Sequence, residues 1–254
     1  MIRISVLYQD SPTNRNNLSS WERATLEHFV IKMNDKEKLF PCIPATIGFT
    51  LNQLRYGFLG DPRKLETVGQ LADLLKEFTN KSKRFGAYTS LILFFRLTDG
   101  MINSYTVNDY EQLFWQQLST LTSVDGSGWP EDIPTDPHNP IWEFCFHDER
   151  YFVYCATPAH EKRQSRHFDT MMLAITPRWV LQTFYQSEVN AKKIKKRIRE
   201  RLVKYDSIGV HPDLKSYGAE DNYEWRQYFL RDDNTTLKSC PFHAAWNDLN
   251  CSHK

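Results

Sequence analysis

The segment TPAHEKRQSR, Thr157 to Arg166, sets a histidine two residues after a proline and follows it with two arginines. A neutral imidazole can bind a metal or take a proton, and a guanidinium fork grips carboxylate or phosphate oxygens. Thr157 suits a helix N-cap and Pro158 the first helical position, so the pattern predicts a helix opening here with His160 in its first turn. At about 100° per residue, His160, Arg163 and Arg166 share one face of that helix. Free amides, the helix dipole and the two forks would make an anion site whose positive potential keeps His160 unprotonated. A plainer reading stays open, in which a capped helix pairs its arginines with carboxylates elsewhere in the chain.

Other reactive residues have weaker settings. Cys42 follows Pro41 without a G-x-C or Q-x-C context and reads as a buried structural cysteine. Cys240 and His243 in CPFH bring a thiol near an imidazole, but a core cysteine with a surface histidine is the usual explanation of such a pair. His211-Pro212 reads as a turn. The sequence contains no phosphate loop, G-x-S-x-G elbow, H-E-x-x-H or dinucleotide fingerprint, which removes the common nucleotide, hydrolase and zincin chemistries.

These residues must be positioned by elements that hydrophobic periodicity makes legible. Ser19 and Ser20 precede Trp21 and Glu22, and Leu26, Phe29, Val30 and Met33 follow at helical spacing, predicting a helix over 19–39. FPCIPATIGF gives a turn and an ambiguous piece, then a strand near 53–59. Val68, Leu71, Leu74, Leu75 and Phe78 predict a second helix, Ala87 to Leu97 a buried strand, and Tyr110 to Leu121 a third helix. Between Asp125 and Ile141, four prolines and two glycines in seventeen residues predict a long loop. Its acids Asp125, Glu131, Asp132 and Asp136 would suit a lid over a cationic ligand or simply a solvated loop.

WEFCFHDERYFVYC reads as a hairpin turning at Asp148-Glu149. Trp142, Phe144, Phe146, Tyr151, Val153 and Cys155 then share one face, and Glu143, Cys145, His147, Arg150, Phe152 and Tyr154 the other. The first face is core. The second is mixed, as beside a site, and the split between Cys145/His147 and Cys155 weakens a metal site built from those three. SEVNAKKIKKRIRERLVKYD is a helix with eight basic residues around a thin stripe of Ile194, Ile198 and Leu202. One basic helix is ordinarily a solvated face, with nucleic-acid contact as the alternative.

Composition bounds the class. The chain has 254 residues, 41% apolar, enough for a substantial core, and sixteen phenylalanines, twelve tyrosines and seven tryptophans predict a bulky core or a ring-lined pocket. A net charge of +1 gives no global field toward nucleic acid or anionic membranes. The first residues lack a signal-peptide core and no apolar run spans a bilayer, so the expected location is cytoplasmic. Five cysteines without a C-x-x-C are expected as reduced thiols.

Several of these pieces occur in order as a set: FPC at Phe40 to Cys42, LRYGF with DPR, YFVYCATPAHEKRQSRHF, TPRWV, HPDL to YG, and EWRQYFLRDDN leading to CPFH. As a set they resemble the YqcI/YcgG family from about residue 40 to 246. Some members are haem proteins that N-hydroxylate amino acids bearing a guanidino group, using dioxygen. The resemblance therefore implies a haem b-dependent oxygenase acting on nitrogen, with arginine or a similar amino acid as substrate. Under it, His160 becomes the axial ligand to iron, with His147 and His243 as the other candidates, and Arg163 and Arg166 hold the propionates. A guanidinium substrate would want a carboxylate, for which Glu143, Asp232 and Asp233 are the candidates.

The expected architecture is one α+β domain over residues 1–254, with a mostly antiparallel sheet flanked by helices and a Pro-rich loop at 125–141. The site is expected between the mixed hairpin face, the His160 helix and the CPFH segment. Electrons would come from a separate reductase, since no flavin or nicotinamide fingerprint is present. The competing readings are a non-enzymatic haem or anion sensor and a nucleic-acid-associated protein using Lys192 to Lys204.

Overall fold

The computed structural model describes residues 6–184 and 187–242. Its helices are α1 (Pro12–Arg15), α2 (Ser20–Asn34), α3 (Ile43–Thr50), α4 (Leu65–Lys81), α5 (Asp99–Ser104), α6 (Val107–Ser123), α7 (Arg178–Phe184), α8 (Glu188–Tyr205) and α9 (Trp225–Tyr228). The strands β1 (Arg55–Leu59), β2 (Leu91–Phe95), β3 (Phe144–Phe146), β4 (Glu149–Ala156) and β5 (Met172–Pro177) form one sheet ordered β1-β2-β5-β4-β3. β1 and β2 run parallel, joined through α4, and the other neighbouring pairs are antiparallel. The fold is α+β with a mostly antiparallel sheet.

Local chemistry sets the helix starts. Ser19 reaches Glu22 through both its amide and its hydroxyl, each 2.7 Å from Oε2, which fixes the first turn of α2. Thr106 and Asp109 repeat the arrangement at α6. The apolar stripe of α4 packs on the sheet, and Gly57 permits the approach, because a Cβ there would lie 2.6 Å from Leu74 Cδ1 and 2.7 Å from Leu93 Cδ2.

Each sheet face has its own core. One combines Leu71, Phe78, Phe114 and Trp115 with Trp142, Val153, Trp225 and Tyr228. The other combines Leu26 and Phe29 with Tyr56, Phe94, Phe168 and Tyr205. The many aromatic rings therefore build a bulky core, in which Phe29 alone contacts Phe49, Tyr56, Phe94 and Phe168 edge-on.

Four expectations change. α2 stops at Asn34, five residues early, and the ambiguous piece after Phe40 is the helix α3. The hairpin turns at His147 and Asp148, whose φ angles of 52° and 58° match a two-residue turn that follows strand twist. Pairing Phe144 with Tyr151 shifts the register by two, so the parity of the two faces survives. Cys42 is an exposed residue at the N-cap of α3, although the packing around its thiol still raises the pKa. Most consequentially, no helix begins at Thr157: residues 157–168 form a loop closed by the Thr157↔His167 bridge, with a 3-10 turn at Gln164–Arg166.

Residues 125–141 contain no helix or strand. Asp125 accepts from the His147 amide at 2.8 Å and Ser127 meets His147 Nδ1 at 2.7 Å, so this loop braces the hairpin turn. Among the described residues no helix is long and apolar enough to cross a membrane.

Candidate functional site

The 157–168 loop replaces the predicted helix because its polar groups find partners in distant chain segments rather than in a helical ladder. The carboxylate of Asp232 accepts the amides of Glu161, Lys162 and Arg163 at 2.9, 2.8 and 2.7 Å. Burial raises the Asp232 pKa, but those three amide bonds outweigh it and leave the carboxyl below its ordinary value. Ser165 gives its amide and hydroxyl to Asp206 at 2.6 and 2.9 Å, just beyond α8. Tertiary bonds thus override a good local helix signal.

His160 is buried, with 1% of its surface exposed. Nε2 lies 2.8 Å from the Leu230 carbonyl and Nδ1 2.8 Å from the Thr157 hydroxyl. A carbonyl only accepts, so Nε2 carries the proton and Nδ1 accepts from Thr157. Burial pushes the imidazole pKa down to about 4. The expected neutral imidazole is present, but desolvation causes it, not a helix dipole.

Arg163 and Arg166 are 1% and 5% exposed. Arg163 donates to the carbonyls of Arg231, Gly209 and Asp233 at 2.9, 3.1 and 3.1 Å. Arg166 donates to those of Tyr228 and Gln227 at 2.7 and 2.8 Å, with its guanidinium 4.3 Å from the Tyr154 ring centre. The forks hold backbone carbonyls of the chain's last third, neither an outside anion nor the carboxylates of the plainer reading.

These three residues do not fit a haem in this fold. A haem would need a ring nitrogen of His160 with a free lone pair facing open space and two guanidinium groups reaching outward. Here Nδ1 is engaged by Thr157, Nε2 is protonated toward Leu230, and both forks point into the protein. His147 sits half-buried in the hairpin turn, bonded to Ser127, and His243 lies outside the described residues. Among the described residues no group of three or more His, Cys, Asp or Glu side chains is arranged to hold a metal ion.

The substrate candidates also have partners within the chain. Asp233 caps Thr235 through amide and hydroxyl at 2.8 and 2.6 Å. Glu143, fully buried, does bind a guanidinium, that of Arg178, which also contacts Glu224 at 2.6 Å and lies 4.0 Å from the Tyr217 ring centre. Burial raises the Glu143 pKa against the opposing charge of Arg178. Arg178 and Glu224 were missed from the sequence, although TPRWV and YEWRQ carry them; a charged residue directly before a tryptophan was the available signal.

The expected three-way site is not assembled. Phe242 packs on Trp142 and Phe144, 5.4 and 6.0 Å between ring centres, on the face that Val153 shares. Tyr154 points to the opposite face, beneath Arg166. What the structure does bring together is the 157–168 loop, the end of α8 and residues 227–235, knitted to β4.

Comparison with known proteins covers this whole arrangement. The chain is 44% identical over 228 residues to "Uncharacterized protein YqcI" of Bacillus subtilis, 90% of each chain, and 42% identical over 236 residues to "Uncharacterized protein YcgG" of the same organism, 93% of each. It is 27% identical over 234 residues, 89% of this chain and 86% of the other, to "Putative N(omega)-hydroxy-L-arginine synthase DcsA" of Streptomyces lavendulae. No solved structure matches it. The model of the YqcI/YcgG family matches residues 27–243, from α2 through the 157–168 loop to the end of the described chain, and the protein belongs to that family.

Proposed function

We propose that the protein N-hydroxylates a guanidino or amino nitrogen of an amino acid such as arginine. One observation carries this reading: the match to the relative named for N(omega)-hydroxy-L-arginine synthesis runs along 89% of this chain, so it takes in both sheet faces and the interlocked loop together. In balanced form, an N–H, dioxygen, two electrons and two protons give N–OH and water. In this reading the electrons come from a separate donor, which the lack of a flavin or nicotinamide fingerprint in the sequence supports. Haem is part of the proposal as the source of dioxygen chemistry, with no role in holding it given to His160, Arg163 and Arg166.

The test is direct. Full-length protein, expressed with haem supplementation, is incubated with L-arginine, dioxygen and a chemical reductant, and products are analysed by mass spectrometry. An arginine product heavier by one oxygen, dependent on dioxygen and protein, supports the reading. Absence of any hydroxylated product across arginine and other guanidino or amino-bearing amino acids sinks it. A Soret band in the purified protein tests the haem part separately.

A further inference from the structure

The basic helix was expected to be a solvated face, yet its surface is organised. At about 100° per residue, Ala191, Ile194, Ile198, Leu202 and Tyr205 fall on one side of α8. Of these Ala191, Leu202 and Tyr205 are buried against the fold. Lys192, Lys193, Lys196, Arg197, Arg199 and Lys204 are exposed on the other side, along a stripe about 20 Å long. Glu200 lies among them, and the lysine stems with Val203, 62% exposed, line a shallow groove. The pattern is that of an interaction patch with an aliphatic middle and a charged rim. Among the described residues Lys193, Lys196, Arg197 and Lys204 have no carboxylate partner.

The charge is segregated. α8 carries eight basic and two acidic residues, a net +6, while the chain as a whole is +1, which leaves −5 for everything else. The helix is also anchored to the interlocked loop: Asp206 bonds Ser165, and Ser207 donates to the Lys162 carbonyl at 2.9 Å. Arg199 donates to the Leu214 carbonyl at 2.6 Å, holding the segment that precedes Tyr217 and Glu224.

We propose that the outward face of α8 docks an acidic electron-carrier protein. This rests on the N-hydroxylase reading, whose two electrons per turnover must arrive from outside the chain. A compact acidic partner matches a short cationic patch, whereas an extended polyanion would run onto a body that is net negative. Residues 192–204 offer no aromatic ring for stacking on bases. The apolar stripe of the helix faces inward, so it has no apolar face to sink into a membrane.

Binding of an acidic [2Fe–2S] ferredoxin, used as the probe, is measured by calorimetry at about 20 mM and about 500 mM salt. The expected result is saturable binding at low salt that weakens at high salt. It should weaken at least about tenfold in the Lys193→Glu/Lys196→Glu/Arg197→Glu variant. The same three positions changed to Gln give a milder second variant should the first not fold, judged by circular dichroism. Binding that is absent, or equal in parent and variants, overturns the proposal. So does tighter, α8-dependent binding of a short DNA duplex or of phosphatidylserine vesicles. Product formation by the parent with a chemical reductant reports on the other reading: ferredoxin docking through α8 without any hydroxylated product would sink the N-hydroxylase assignment and leave the docking surface standing.

Discussion

His160 Nε2 faces the carbonyl oxygen of Leu230 at 2.8 Å across seventy residues of chain, and the proton on that nitrogen is what joins them. The imidazole thereby acts as a rivet between the 157–168 loop and the C-terminal segment, with Thr157 fixing its other nitrogen.

From this follows a pH dependence. The folded pKa is depressed to about 4 from an ordinary 6.5, so the folded state resists protonation that the unfolded chain accepts. Its contribution is complete above about pH 6.5 and is lost as pH falls toward 4, by up to about 3 kcal/mol. Urea denaturation at several pH values should show the parent losing stability over that window and His160→Asn losing much less. Equal slopes in the two proteins would mean that the ring does not titrate as its burial requires.

The two arginines give a second expectation. Arg166→Gln strands the buried carbonyls of Gln227 and Tyr228, at about 1–3 kcal/mol for each group left unpaired, and Arg163→Gln removes the partner of the more accessible Gly209 and Arg231 carbonyls at a smaller cost. Both variants should melt below the parent by circular dichroism, Arg166→Gln the further. If the parent retains haem, whatever fraction of the double variant is folded should retain it equally, because the forks do not face outward. A normal melting temperature with faster haem loss would reverse that assignment.

How far the sequence spoke depends on what fixed each element. α4 and α6 were legible because their apolar spacing alone determines the buried face, and Val68, Leu71, Leu74 and Phe78 are buried as that spacing requires. The hairpin faces were legible because parity survives a two-residue slip, whereas the turn itself was not, since nothing local marks His147-Asp148 as a pair with positive φ. The 157–168 loop was misread for a physical reason: Thr-Pro is a sound helix start, but Asp232, some seventy residues on, collects the amides that would have begun the ladder. The chemistry of the site residues was visible and their partners were not. Arg163 and Arg166 are pairing groups, as their type suggests, yet only the tertiary structure reveals that they pair with backbone.

The buried cluster of Glu143, Arg178 and Glu224 carries an asymmetry. Arg178→Met leaves two carboxylates facing each other without their cation and should cost about 3–5 kcal/mol. Glu143→Gln leaves Arg178 paired with Glu224 and should cost clearly less. Chemical denaturation of the two variants checks the order; if Glu143→Gln is the more damaging, Glu143 has a role beyond neutralising Arg178.

Two helical glycines should respond to alanine in opposite senses. Alanine is favoured over glycine in a helix interior by about 1 kcal/mol, so space decides the outcome. At Gly69, exposed on α4, an added Cβ meets nothing within 4 Å, and Gly69→Ala should raise stability by roughly that amount. At Gly48 in α3 the same atom would lie 2.2 Å from the Tyr88 carbonyl oxygen and 3.2 Å from Leu54 Cδ2. Backbone cannot swing aside as a flexible side chain can, so α3 would have to lift from the Tyr88 backbone, taking with it the N-cap at Cys42. Gly48→Ala should therefore lose stability despite its better propensity, and the Cys42 thiol, whose pKa burial raises, should react faster with a thiol reagent as α3 loosens. Thermal melts of the two variants beside the parent, with the Cys42 labelling rate, test the pair; a stabilised Gly48→Ala would show that α3 does not rest on the Tyr88 backbone.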